Sequence, residues 1–291
     1  MKELFLAYLF KLRHDITFKI TLIIGLGLAV FLSLLYVGIS FLSETLMISG
    51  ASMYISSLSP TSNFGLAVPI NLVTFTVMEF SQGGIRNKII GGHSKKQIYA
   101  SIFLNGLVFT FALMIVYSLL CLGLGAGFGA LIKQLNPDWE SLGTIDLTSL
   151  SMTSGYADYY FLRITILAIL CYVSIVSFTV FFATLFRNIG PCIPVILISL
   201  IFLSLASTII ILVGRDNETA LWVGRIVDPL FCLNAGETAV IGYKTMYGEE
   251  MAIYGSTISN EVFISGICSN LFYAALFFTG GILIFSKRDI K

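Results

Sequence analysis

The side chains that usually do chemistry are few in this chain, and their spacing argues against catalysis. The only histidines are His14 and His93, and neither lies in a long apolar run, so a Ser–His pair at membrane depth lacks its base. H-E-x-x-H and G-x-S-x-G are both absent. Glu249 and Glu250 are neighbouring acids with no histidine beside them, which reads as the solvated face of a loop. The five cysteines, Cys121, Cys171, Cys192, Cys232 and Cys268, follow no disulfide or metal spacing and read as small packing residues. The phosphate loop G-x-x-x-x-G-K-[ST] is also missing, so the chain does not bind ATP by that route. No catalytic, cofactor-binding or metal-ligating residue is expected.

One segment combines charge with sharp punctuation. It runs from Glu79 to Tyr99, with glycine pairs at Gly83/Gly84 and Gly91/Gly92. Between the pairs, Ile85 to Ile90 mixes apolar residues with Arg86, Asn87 and Lys88, the pattern of a short helix lying along a membrane with its bases toward the cytoplasm. Ser94 is placed to cap a following helix that begins at Lys95 and Lys96. A stiff amphipathic element of this kind suits the transfer of force from a soluble partner to the adjoining helices. The same bases also serve as an orientation signal, and spacing alone leaves both readings open.

The elements that must carry this segment are membrane spans. Apolar residues make up 57% of the 291 and charged residues 11%, against roughly 25% charged in soluble domains, and mean hydropathy is +0.92. A hydrocarbon core about 30 Å thick needs about 20 apolar residues per helix. Spans are predicted at about 20–42, 64–80, 102–124, 161–185, 193–213 and 263–285. The second is short and carries Pro69 and Asn71, yet it joins polar stretches that need opposite sides. The first reads as an anchor and not as a cleaved leader. Span centres are uncharged and offer hydroxyls and amides such as Asn105, Ser118, Ser174, Ser177, Ser204 and Asn270, which join helices or bond back along their own helix. Ion-driven transport usually places acids or bases there, so energy is expected to enter from elsewhere.

Orientation follows from the bases. Lys2, Lys11, Arg13, Lys19, Arg86, Lys88, Lys95, Lys96, Arg187, Lys287, Arg288 and Lys291, 12 of the 17, fall on one side of a six-span chain. By the positive-inside rule that side is cytoplasmic and holds both termini. The other side carries long segments at 43–63, 131–160 and 214–260, the last with short outer-leaflet helices expected within 220–240. Leu4, Phe5, Tyr8, Leu9, Leu12 and Ile16 share one face of an N-terminal amphipathic helix, with Glu3, Lys11 and His14 opposite, which predicts an interfacial helix ahead of the first span. The fold class is thus an all-α integral membrane protein of six transmembrane helices. Gly123, Gly125, Gly127 and Gly129 contain overlapping G-x-x-x-G spacings, read either as helix packing or as a loosened helix end.

Glu79, the stretch Gly83-Gly84-Ile85-Arg86-Asn87-Lys88, the stretch Ser94-Lys95-Lys96-Gln97-Ile98-Tyr99 and the ending Phe285-Ser286-Lys287-Arg288-Asp289-Ile290-Lys291 together resemble the bacterial type-2 permeases of ATP-binding cassette exporters. Gly84 departs from the pattern, since the family often has threonine there. The resemblance covers nearly the whole chain, as a single permease domain over 1–291. It implies a cell-membrane, multi-pass exporter subunit, and the Phe, Leu and Ile of the span surfaces favour a hydrophobic or amphipathic cargo such as a peptide antibiotic. It also implies a second permease copy or a similar permease, and separate ABC ATPase subunits that bind ATP and Mg and do the hydrolysis. Membrane lipid is the remaining expected partner, and nucleic acid is not one. Residues 81–97 would be the coupling segment, with Glu79, Gly84, Arg86, Asn87, Lys88, Gly91, Ser94, Lys95 and Lys96 as its ATPase-coupling residues. Glu79 would pair with Arg86 in one state, and pressure on Ile85 to Lys96 would shift spans one, two and five. A non-transporting membrane sensor or assembly protein with ligand-binding outer loops is the alternative.

Overall fold

The structure, a computed structural model, describes residues 2–14, 16–43, 53–54, 57–58, 64–81, 83–137, 160–186, 188–213, 219, 223 and 260–287. Their regular structure is helical, with no strand among the described residues. The principal helices are α1 (Lys2–His14), α2 (Ile16–Ser43), α3 (Phe64–Ser81), α4 (Gly84–Ile90), α5 (Lys95–Leu135), α6 (Tyr160–Leu185), α7 (Ile189–Val213) and α8 (Asn260–Lys287). The turn at Arg187, residues 138–159, the outer helices expected within 220–240, the Glu249/Glu250 pair, Cys232 and residues 288–291 lie outside the described residues, as does most of 43–63.

Among the described residues, four helices are long and apolar enough to cross a bilayer, through Ile23–Leu42 of α2, Lys95–Leu135 of α5, Leu162–Leu185 of α6 and Phe263–Lys287 of α8. They mark the protein as membrane-embedded. The apolar stretches Val68–Phe80 in α3 and Ile189–Leu203 in α7 are shorter. Outward faces carry rows of exposed apolar side chains, such as Ile23, Ile24, Phe31 and Leu34 on α2 and Ile198, Phe202, Leu205 and Ile209 on α7. Such surface belongs against hydrocarbon and not against water.

A helix that is apolar all round sits in the core of a bundle or against lipid, and α6 takes the core. Leu167, Ala168, Cys171, Tyr172, Ile175, Val176, Val180 and Ala183 are at most 1% exposed, and α6 packs on α8, α3, α5 and α7. Its seam with α8 is aromatic: Phe178 meets Phe277 edge-on at 4.9 Å, and Phe181 lies 5.4 Å from the same ring. Gly106 lets α5 close on this core, since a Cβ there would lie 3.2 Å from both Leu72 Cδ2 and Val176 Cγ1. Polar groups within the spans mostly bond back along their own helix. Asn105 Nδ2 donates to Ser101 O at 2.8 Å, Ser177 Oγ to Val173 O at 2.9 Å and Asn270 Nδ2 to Gly266 O at 2.8 Å.

Two sequence expectations shift. The third predicted span, 102–124, is only the middle of α5, a 41-residue helix that begins at Lys95 and continues to Leu135. The glycine series lies within it, with Gly125 and Gly129 buried and Gly123 and Gly127 facing open space. The N-terminal helix forms as expected, but Leu4 and Tyr8 are buried and α1 packs on α5, so its apolar side serves the bundle.

Candidate functional site

The site forms where α1, the end of α3, α4 and the start of α5 meet. A chain leaving α3 at Ser81 must turn sharply to start α4, and Gly83 supplies the turn with φ +70°, a conformation costly for residues with a Cβ. Gly83 O then accepts from Asn87 N at 3.0 Å, the first bond of the short helix. At the other end Gly92, φ +87°, donates to Ile89 O at 3.0 Å while His93 N donates to Lys88 O at 3.1 Å. These paired bonds close the helix as a Schellman motif. The conformational demand therefore falls on Gly92; Gly91 has an ordinary φ of −71°. Ser94 restarts the chain with a full capping box: its Oγ accepts from Gln97 N at 3.3 Å, and Gln97 Oε1 accepts from Ser94 N at 3.2 Å.

Glu79 is the centre of the site. An acid at the end of an apolar helix can ordinarily reach water, yet Glu79 is 2% exposed. A carboxylate so buried requires compensation, and it has two ammonium partners. Lys11 of α1 donates to Oε1 and Lys88 of α4 donates to Oε2. Arg86, the partner expected from sequence, is exposed and makes no ion pair among the described residues. Lys88 lies within its helix on the side facing α3, so it points inward where both bases of α4 were expected to face out. Its ammonium sits 3.5 Å from the centroid of the Tyr8 ring, a cation–π contact with α1. Lys11 reaches the site along Phe75, 5.7 Å from that ring's centroid.

The electrostatics follow from burial. Desolvation lowers the pKa of Lys88 below the ordinary lysine value, the Glu79 carboxylate opposes that shift, and the nearby Lys11 charge reinforces it. Burial raises the pKa of the Tyr8 phenol, and the neighbouring Glu79 charge raises it further, so the phenol stays neutral. Gly84 makes room for this pairing. A Cβ at 84 would fall 2.6 Å from Glu79 Oε2, so the doubly paired carboxylate occupies the space a side chain would need. An open cleft of about 570 Å³ separates α1 from α4, lined by Glu3, Tyr8, Lys11, Glu79, Lys88 and His93 among others.

The far end of the segment is seated differently. Tyr99 is fully buried against α8, beside Phe278 and Phe285, both at 5.9 Å between ring centroids. A methyl at Gly281 would fall on the Tyr99 hydroxyl and Cζ, so Gly281 provides the seat. Lys95 Nζ donates to Ser286 O at 3.4 Å, and Phe80 meets Phe285 edge-on at 5.9 Å. As far as Lys287, the motifs quoted from the sequence thus converge at one end of the bundle.

Of the nine residues singled out from the sequence, Glu79, Gly84 and Lys88 are brought together and Ser94 caps α5. Lys95 turns to α8, and Gly91 closes the end of α4. Arg86, Asn87 and Lys96 stay exposed, with Ile90 beside them at 75% exposure. From sequence Gly92 reads only as punctuation beside Gly91, and Lys11, Tyr8 and Gly281 do not read as site residues. The spacing of Tyr8 and Lys11, three residues apart and so neighbours on a helix surface, was the available signal for two of them. Among the described residues no three His, Cys, Asp or Glu side chains cluster as metal ligands. No protein-family model, curated protein or solved structure matches this chain.

Proposed function

We propose that this chain is the membrane-spanning permease subunit of an ATP-driven ABC exporter, with six spans and both termini in the cytoplasm of a bacterial cell. The shorter apolar helices α3 and α7 then complete the six. A separate ATPase subunit binds ATP and Mg, and a second permease, identical or similar, completes the assembly in the plasma membrane. The cargo is a hydrophobic or amphipathic compound.

The observation that carries this reading is the form of residues 79–99. A short helix bounded by two left-handed glycines presents Arg86, Asn87 and Ile90 outward, while its inner side is fixed to α1 and α3. That is the arrangement needed to receive a push from a soluble partner and pass it to the spans. The test is to purify the chain with its copurifying proteins, reconstitute the complex in lipid and measure ATP hydrolysis and its coupling to transport. Arg86→Ala should leave the complex assembled and lower transport per ATP hydrolysed. Absence of any ATPase from the purified complex, or full coupling in Arg86→Ala, would overturn the proposal.

A further inference from the structure

We infer that Lys11, on the N-terminal helix, is a positioning residue of the coupling element, because it shares the buried Glu79 carboxylate with Lys88 and so makes α1 and α4 move as one body. The inference rests on the proposed function only for the direction in which force travels.

Three contacts carry it. Glu79 is almost wholly buried, and each of its oxygens is taken by an ammonium from a different helix. Lys88 also stands over the Tyr8 ring, a second link between α4 and α1 that does not pass through Glu79. Gly84 permits both, since any side chain there would displace the carboxylate. The charges compel the coupling: moving α4 away from α1 leaves a buried carboxylate with one partner, or a half-buried lysine with none, and either state is costly. Displacement of α4 therefore draws α1 with it. Because α1 lies along α5 and leads directly into α2, the N-terminal helix becomes a second output of the coupling segment beside α3 and α5.

Hydrogen exchange on the full-length protein in lipid nanodiscs tests this without the partner. Lys11→Gln should speed exchange across residues 84–90 about tenfold, the change implied by loss of one charge-assisted hydrogen bond, and Lys11→Arg should restore the original rate. A purely local role would speed exchange within 2–14 alone, and that result overturns the inference. Should Lys11→Gln fail to fold, the reciprocal variant Lys88→Gln decides, since it must then loosen 2–14. In the complex with a copurified ATPase, ATP should alter exchange in both segments of the native protein and only in 84–90 of Lys11→Gln. If no ATPase copurifies, the transporter reading fails, while the exchange linkage between 2–14 and 84–90 still stands or falls by itself.

Discussion

Residues 79–99 are fastened to the bundle at both ends, by opposite kinds of physics. At its beginning the fastening is ionic: Glu79, Lys11 and Lys88, with Tyr8 against the lysine. At its end it is steric and aromatic: Tyr99 set over Gly281 beside Phe278 and Phe285. An ionic knot breaks when one charge leaves, and its three members fail together. An aromatic seat fails only when its volume changes. The beginning of the segment is thus suited to switch and the end to act as a fixed pivot.

The sharpest way to break this contrast is Glu79→Ala. Two ammonium groups would lose their acceptor, and because Lys11 is 42% exposed and regains solvent, the loss should be about 2–3 kcal/mol, below that of a fully buried pair. The thermal unfolding midpoint of the detergent-solubilised protein would report it, and a variant as stable as the native protein would refute the ionic knot. Gly281→Ala should cost about 1–3 kcal/mol by overpacking Tyr99. Combined with Tyr99→Ala, that cost should vanish, a non-additivity that a double-mutant cycle detects. Gly84→Ala should cost about 1 kcal/mol through its clash with Glu79 Oε2 and should cost less in a Glu79→Ala background. Ser94→Ala removes a capping box, for about 1 kcal/mol, seen as faster amide exchange in the first turn of α5. Arg86→Ala should change stability by less than about 0.5 kcal/mol, because the side chain is exposed and makes no ion pair among the described residues, and under the proposed function transport per ATP hydrolysed should fall.

Local features were legible in the sequence to the extent that they are set by neighbours along the chain. The helix between the two glycine pairs, the Ser94 cap and the N-terminal helix all form, because turn chemistry and periodicity act over a few residues. The Lys11–Glu79 pair was not legible, since 68 residues separate its members and periodicity placed Lys11 on the polar face of α1. A lysine's long stem can carry its charge away from the face its Cα occupies, and only tertiary packing decides where the ammonium goes. The Gly281 seat was hidden for the same reason: a glycine near the end of a span reads as unremarkable until Tyr99, contributed from far earlier in the chain, fills the space beside it. The length of α5 was underestimated because apolar runs measure what a bilayer requires and not how far a helix continues past it.

That length has a mechanical consequence. At 1.5 Å per residue, the 41 residues of α5 form a rod about 61 Å long, roughly twice the thickness of the hydrocarbon layer. A rotation of about 10° around its midpoint would carry each tip about 5 Å, on the order of one helical turn. The capped tip at Ser94 adjoins the ionic knot, and the opposite tip at Leu135 leads toward residues 138–159. The helix is therefore a lever, able to convert a small tilt imposed at one membrane face into a swing at the other without breaking a backbone hydrogen bond.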